Sequence, residues 1–315
     1  MKRINRRSFI KKSTALSATS LLGSGLFSRL LGGHGFLLAG DNIDISVAKG
    51  KDYFKNTIKA VEQLGGMEKF VPKKSSVAVL ANPQRNNPGS FTSPDVVRAV
   101  IRMCREAGAE KVVCVSMLPE KNWNSTGLAA VVEEEGGELQ IVNLRDESLF
   151  KPVPIPKGVA LKEAKIMKEF FKYDVFIDVP VTKDHAGNKF TGTMKNLMGI
   201  NSPQSNRMFH KQGWKTDVDS ITHLDQCIAD LNTIIIPDLC VVDATEFIIT
   251  NGPFGPGKLF SPQKVVAGTD RVAIDSYCCT LWGLKPEDII MINAAFKHKL
   301  GEMNLDKVRI REIDV

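Results

Sequence analysis

Short apolar runs alternate with amphipathic stretches along the first half of the chain. The runs at 76–81, 111–117 and 139–143 are rich in valine, leucine and isoleucine, and they predict buried strands. Between them, residues 94–107 and 126–135 place apolar side chains at helical spacing, and glycine follows each stretch. This order of strand, helix, strand, helix and strand predicts right-handed crossovers and a mostly parallel sheet.

The same alternation continues after three prolines between residues 152 and 156. The pattern predicts an α/β protein with helices on both faces of the sheet. Residues 41–315 form either a single domain or two α/β halves, at 41–150 and 159–315. The remaining predicted elements are helices at 51–70, 163–171, 221–231, 270–279 and 286–299, and strands at 174–181, 239–243, 264–267 and 308–313, the last at an edge.

Residues 1–40 have a different character and predict an export signal. Two adjacent arginines, Arg6 and Arg7, are followed by Ser-Phe-Ile-Lys, and an Ala/Gly/Ser-rich apolar stretch runs from Ala15 to Ala39. This pattern resembles a twin-arginine signal, which implies the twin-arginine translocase as a partner during export. Arg29 interrupts the apolar stretch, which makes it a poor permanent membrane helix. We therefore expect cleavage near residues 39–40 and a soluble chain in the periplasm or otherwise exported.

The export signal also accounts for the whole net charge. The chain has 42 basic and 35 acidic residues, and residues 1–40 contain seven bases and no acid. The rest of the chain is therefore formally neutral. A basic surface that neutralises phosphates is not indicated, so nucleic acid is not an expected partner, and the composition does not indicate an oligomeric state.

Cofactor motifs are sparse. The six cysteines include no CxxC pair, so neither a thioredoxin-like site nor an iron–sulfur cluster is predicted, and their spacing assigns no disulfide. No GxGxxG or GxxxxGK[ST] follows the first strand, which counts against dinucleotide binding and against a P-loop. Twin-arginine export implies a protein that folds before transport, often around a cofactor. The identity of any cofactor, metal included, therefore stays open.

Polar side chains gather where two predicted strands end. The loop at 82–91 follows the first strand, and the loop at 182–196 follows the strand at 174–181. Because ligands lie beyond the carboxyl ends of parallel strands, we expect the two loops to share a cleft. The candidate catalytic residues in the second loop are Lys183, His185 and Lys195, and the loop also contributes Asn196 as a candidate ligand-binding residue.

Further candidates follow later strands. Asp243 and Glu246 end the strand at 239–243, and Asp275 lies within an otherwise apolar helix start. The loop from Asn251 to Gly257 contains three prospective anion-binding glycine amides, although a rigid wide turn explains it equally well. The ligand-binding candidates are Asn196, Asp243, Glu246, Asn251, Gly252 and Asp275.

This set of residue types suggests a specific division of roles. The lysines would hold an anionic group, and His185 would transfer a proton or bind a metal. The carboxylates would orient the histidine or act as ligands. The histidines show no HxH or HxxxH spacing, so the indication of a metal site is weak.

Four segments carry a family resemblance: Ser93–Val113, Pro180–Gly199, Asn251–Gly257 and Ala267–Asp275. Across roughly residues 75–301 they resemble the family catalogued as domain of unknown function 362. Many relatives carry an added ferredoxin-like domain with cysteine clusters, which this sequence lacks, so the resemblance does not imply electron transfer here. A fainter similarity, in the strand–Ser-Pro–helix opening, links the chain to the N-terminal half of nickel-pincer lactate racemases.

Three hypotheses are consistent with the sequence. The first is an exported enzyme or cofactor-binding protein that takes a small anionic ligand in a polar cleft. The second is a non-catalytic accessory or maturation partner of a periplasmic redox enzyme, with Lys183 and Lys195 at an interface. The third is structural, with Lys195 paired to Asp243 or Asp275 inside the core.

Overall fold

An eight-stranded sheet runs through residues 43–315, the part of the chain that this computed structural model describes. The predicted export signal and its cleavage point lie outside the described residues. The strands are, in chain order, β1 (Ile45–Lys49), β2 (Ser76–Ala81), β3 (Lys111–Ser116), β4 (Glu138–Ile141), β5 (Phe150–Pro154), β6 (Glu163–Met167), β7 (Val175–Val179), β8 (Leu239–Ala244), β9 (Phe247–Ile248), β10 (Leu259–Phe260), β11 (Lys264–Gly268) and β12 (Ile310–Asp314).

Within residues 43–315, helices lie within or across six of the predicted segments, and three further short helices were not predicted. The segments predicted at 51–70 and 286–299 contain an α-helix flanked by a single 3₁₀ turn. The helices are α1 (Tyr53–Glu62), α2 (Pro94–Glu106), α3 (Glu120–Ser125), α4 (Leu128–Glu134), α5 (Thr193–Asn196), α6 (Pro203–Phe209), α7 (Val218–Leu231), α8 (Arg271–Thr280) and α9 (Ile290–Lys297). The three that were not predicted are α3, α5 and α6.

The strand order of the large sheet is β12-β1-β11-β8-β7-β2-β3-β4. All neighbouring strands are parallel except β11, which is antiparallel to both β1 and β8. The prediction of a mostly parallel α/β sheet is confirmed. Residues 43–315 form one compact unit, in which β1 from the start of the segment pairs with β11 and β12 from its end.

Both faces of the sheet are buried. In β2, Ala78 and Leu80 belong to one hydrophobic cluster, whereas Val77 and Val79 belong to the other. Successive side chains of a strand point to opposite faces, so the two clusters are two cores. Helices α1, α2 and α4 contribute to one core and helices α7, α8 and α9 to the other. This is why the inner strands β2, β3, β7 and β8 are largely apolar rather than alternating.

The prediction of a helix at 163–171 is wrong. Residues 163–167 form β6, which pairs antiparallel with β5 in a two-stranded sheet outside the large one, and a 3₁₀ turn follows at Lys168–Lys172. Ala164 and Ile166 are buried, whereas Glu163 is exposed and Lys165 half-buried, which is the period of two that a short strand shows. The helix predicted at 126–135 is also shorter, because Gly127 takes a left-handed φ of 76° between α3 and α4.

None of the helices between residues 43 and 315 combines the length and the hydrophobicity that crossing a lipid bilayer requires.

Candidate functional site

A cavity of about 230 Å³ lies at the carboxyl ends of β2, β3 and β7. Parallel strands β2 and β7 are neighbours, with Ala81 opposite Val179, so the loops that leave them meet at one edge. Among the described residues, the lining contains two lysines and two histidines and no aspartate or glutamate. The polar side chains that matter most are Asn82, Lys183, His185, Lys195, Asn196 and His210.

Lys183 lies where the chain leaves β7, and it is 1% exposed. Its backbone pairs with Thr191 in both directions, at 3.2 and 2.9 Å, which closes the intervening loop on itself. The side-chain amine donates to the backbone oxygen of Ser90 and, at 3.3 Å, to Asn82 Oδ1. Burial and the nearby charge of Lys195 lower the pKa of Lys183 to about 7.

Lys195 lies on the short helix α5 and is 8% exposed. The amine of Lys195 lies 4.0 Å from the sulfur of Met198, which is a weak hydrogen-bond acceptor. Burial lowers the pKa of Lys195 to about 8, although the charge of Asp225 partly opposes that shift. Asp243 and Asp275 accept hydrogen bonds from other groups, so the ion pair of the structural hypothesis does not form.

Two histidines complete the basic lining, and both are neutral near pH 7. Burial, followed by the positive charge of Lys195, holds the pKa of His185 well below its usual range. The same two causes lower the pKa of His210 to about 4. His185 Nδ1 lies 2.9 Å from the backbone oxygen of Ala186. A neutral imidazole next to ammonium groups can accept a proton or a hydrogen bond.

A chain of side-chain hydrogen bonds fixes the floor of the cavity. It continues from Lys183 to Asn82, whose Nδ2 donates to Asn196 Oδ1 at 3.0 Å. Asn196 Nδ2 in turn donates to Asp178 Oδ1 at 2.8 Å and to the backbone oxygen of Leu80 at 3.1 Å. The side-chain amides of Asn82 and Asn196 therefore each have one orientation, and Asn82 accepts the hydrogen bond from the amine of Lys183.

Asp178, the end of that chain, is fully buried in β7. Burial raises the pKa of its carboxyl well above the usual value, and within the described residues its Oδ2 has no hydrogen-bond partner. Sequence reasoning missed this residue because it lies inside an apolar strand pattern. The signal that could have pointed to it is the presence of a charged residue within such a run.

Asp275 and Asp243 lie outside the cavity lining and hold its walls. Asp275 accepts from the backbone N–H and hydroxyl of Thr193, at 2.7 and 3.0 Å, and from the N–H of Met194 at 3.0 Å. It thereby binds the first amides of α5, the helix that carries Lys195. Asp243 Oδ2 accepts from Ser93 N at 2.6 Å and fixes the start of α2 against the end of β8.

The other three predicted ligand-binding residues also lie outside the lining. Glu246 accepts from Ser261 Oγ at 2.8 Å, and the exposed Asn251 donates to Pro256 O at 3.2 Å. Gly252 N donates to Asp184 Oδ2 at 2.8 Å, and a Cβ at Gly252 would lie 1.8 Å from the backbone oxygen of Asp184. Only glycine fits there, and it brings the next residues, Pro253 and Phe254, to the lining.

The carboxylate that acts on Lys195 is one that sequence reasoning missed. Asp225 lies on α7, where Asn188 Nδ2 donates to it at 3.0 Å and the N–H of Met291 at 3.2 Å. Burial raises the pKa of Asp225 to about 6, and the charge of Lys195 opposes that rise. Asp225 follows Ile221 by four residues, so its place on the buried helix face could have been found.

Metal donors are dispersed in the described part of the chain. Between residues 43 and 315, no three His, Cys, Asp or Glu side chains lie close enough to share a metal ion. The six cysteines are buried and free of disulfides.

The sequence model of the family described as Domain of unknown function (DUF362) matches residues 77–280. The chain belongs to the DUF362 family.

Two known proteins are similar to this DUF362 chain. A thylakoid-associated protein of Synechocystis sp. is 26% identical over 267 residues, which cover 78% of this chain and 76% of that protein. The lactate racemase apoprotein from Thermoanaerobacterium thermosaccharolyticum has a TM-score of 0.46 at 16% identity, over 74% of this chain. The chain spans 56% of the length of that racemase.

Two of the DUF362 segments named from the sequence meet at the site. Pro180–Gly199 supplies Lys183, His185, Lys195 and Asn196 to the lining. Ala267–Asp275 ends in the carboxylate that binds the first turn of α5. One segment thus carries the basic groups, and the other fixes the helix on which one of them lies.

Proposed function

We propose that this DUF362 protein binds a small anion in the cavity beyond β2, β3 and β7. The observation that carries the proposal is the composition of the lining, which within residues 43–315 has Lys183, Lys195, His185 and His210 and no carboxylate. The surrounding amides, Asn82 and Asn196, add polar groups that are already fixed in orientation.

Burying a lysine without a counter-ion costs free energy. Burial lowers the pKa of both cavity lysines, the charge of Lys195 lowers that of Lys183 further, and Asp225 only partly opposes the shift at Lys195. An anion between them would compensate both charges and raise both pKa values. The protein therefore carries an unfavourable charge arrangement that ligand binding would relieve, as is common at functional sites.

The volume of the cavity limits the size of the charged group. About 230 Å³ is below the range of roughly 300–1,000 Å³ that drug-sized ligands occupy. A carboxylate, phosphate or sulfate group fits that space together with a few further atoms.

We extend the proposal to proton transfer. His185 is the candidate base, because its imidazole is neutral, lines the cavity and lies beside the cationic groups that would orient an acid. Lys183 and Lys195 would hold the anion, and the hydrogen-bond chain through Asn82, Asn196 and Asp178 would fix Lys183. The placement of His185 in the lining and its neutral imidazole support this role.

The proposal includes export. Its support is the Arg6-Arg7-Ser8-Phe9-Ile10-Lys11 pattern, which resembles a twin-arginine signal. The anion would then be bound outside the cytoplasm.

The pH dependence of binding tests the proposal. Sulfate and acetate keep a constant charge between pH 6 and pH 10, so any change in their affinity belongs to the protein. We expect affinity to be highest near pH 6 and to fall at least tenfold by pH 9.5, as Lys183 (pKa about 7) and then Lys195 (pKa about 8) lose their protons. Calorimetry in buffers of different ionisation enthalpy should also show proton uptake on binding near pH 8.

Affinity that is independent of pH across that range contradicts the proposal. So does the failure of both probes to bind at any pH. Asp288→Ala, at an exposed acid outside the lining, serves as the control and should keep the wild-type pH profile.

A further inference from the structure

Two exposed aromatic side chains, Trp214 and Phe254, lie at the cavity. Trp214 is 62% exposed and Phe254 is 43% exposed, yet both contribute to the lining. They come from separate segments, the connection between α6 and α7 and the glycine-rich loop after β9. Large exposed aromatic rings beside a concave site mark a contact surface more often than a packing defect.

Each ring is held by a neighbour. Trp214 stacks on His210, with ring centroids 4.0 Å apart and planes inclined by 31°. The guanidinium of Arg85 lies 5.1 Å from the ring centroid of Phe254, and Asn87 Nδ2 donates to the backbone oxygen of Phe254 at 2.6 Å. The rings are thus positioned while a large part of each stays open to solvent, which lowers the entropy cost of placing a ligand against them.

The lining has an apolar part next to the basic one. Leu118, Met198 and Pro253 contribute to the same cavity as Lys183 and Lys195. Pockets of this composition suit ligands with one charged end and one apolar body. An anion without an apolar body would leave this surface and both rings unused.

We propose that the anion carries an aromatic ring, with its acid group between Lys183 and Lys195 and its ring against Trp214 and Phe254. The inference rests on the proposed anion site and adds the chemical class of its ligand, a small aromatic acid. The amphipathic match follows from the placement of the basic groups and the aromatic pair in one cavity.

Paired ligands that differ only in a phenyl group test the inference. We expect phenylacetate to bind the wild-type protein at pH 6.5 at least tenfold more tightly than acetate, as measured by calorimetry. Trp214→Ala and Phe254→Ala should each remove most of that difference while leaving acetate binding within twofold of the wild type. Trp214→Phe, which keeps a ring, should retain most of it.

Phe296→Ala is the matched control, because Phe296 is 40% exposed and lies outside this lining. This substitution should change neither the affinity for acetate nor the affinity for phenylacetate. Equal binding of acetate and phenylacetate to the wild type would overturn the inference and leave the anion site intact. Equal loss of both ligands in the Trp214 and Phe254 variants would also overturn it, by showing a purely structural role. Failure of acetate itself to bind counts against the anion site instead.

Discussion

Replacing Lys195 with methionine is expected to abolish anion binding and to stabilise the unliganded protein. Within residues 43–315, the hydrogen-bond contact of the buried Lys195 ammonium is with the thioether sulfur of Met198. Methionine at position 195 therefore leaves no strong acceptor unsatisfied. A pKa lowered from 10.5 to about 8 corresponds to a burial cost of about 3 kcal/mol at pH 7. Part of the gain is lost because Asp225 loses its charged neighbour, so we expect a net increase of about 1–3 kcal/mol.

The gain should depend on pH in a defined direction. The folded-state pKa of this base is lower than its unfolded value, so protonation favours the unfolded chain at any pH below about 8. The advantage of methionine is therefore full below pH 8 and shrinks as the pH rises toward 10.5, where the unfolded chain also loses the proton. Urea unfolding at pH 7 and pH 10 measures the difference in the free energy of unfolding between Lys195→Met and the wild type.

Lys189→Met is the matched control, since Lys189 is an exposed lysine of the same segment that lies outside the lining. It should leave sulfate affinity unchanged and alter stability by less than about 0.5 kcal/mol. A Lys195→Met protein that is less stable than the wild type, or that binds sulfate normally, would show that Lys195 is a structural residue.

Replacing Asp275 with alanine is expected to destabilise the protein by about 3–5 kcal/mol. The carboxylate is fully buried and accepts three hydrogen bonds from Thr193 and Met194, all of which would be left without a partner. The site is too tight for rearrangement, because a Cβ at Gly192 would already lie 2.2 Å from Asp275 Oδ1. The start of α5 would then lose its link to α8.

This carboxylate also adds a pH dependence of its own. Burial raises the pKa of Asp275 to about 7, so its contribution to stability decreases as the pH rises from about 4 to 7, the range in which only the unfolded chain ionises. The alanine variant should lack that decrease. Urea unfolding between pH 4.5 and 7.5 measures both effects, with Asp288→Ala, at an exposed acid, as the control. An Asp275→Ala protein within 1 kcal/mol of the wild type that no longer binds anions would assign Asp275 to the ligand rather than to α5.

Much of the fold follows from local pattern. The apolar runs of β2, β3, β7 and β8 are buried on both faces, and continuous apolar runs between helices are what such strands require. The reversed direction of β11 could not be foreseen, because it depends on pairing with β1 and β8 across long sequence distances. The β5–β6 pair was missed for a related reason, since a two-stranded sheet depends on its partner more than on its own composition.

Part of the site was predictable because ligand-binding loops follow the ends of parallel strands. Lys183 and Lys195 lie beyond a strand end, where parallel strands present their loops, and the structure places both in one lining. Sequence reasoning cannot tell whether a buried acid faces a ligand or a backbone amide. Asp243 binds the N–H of Ser93, 150 residues away, and no local pattern records that contact. His210 was given no role because its segment has no periodicity, and it enters the lining through the fold alone.

The titration of the two cavity lysines shows directly whether they form an anion site. With lysine labelled at the side-chain carbon next to the amine, NMR can follow each residue, and Lys183→Met and Lys195→Met assign the signals. We expect a pKa of about 7 for Lys183 and about 8 for Lys195, and we expect a saturating anion to raise both pKa values. Two lysines that titrate near 10.5 and do not respond to sulfate, acetate or phenylacetate would contradict the anion site.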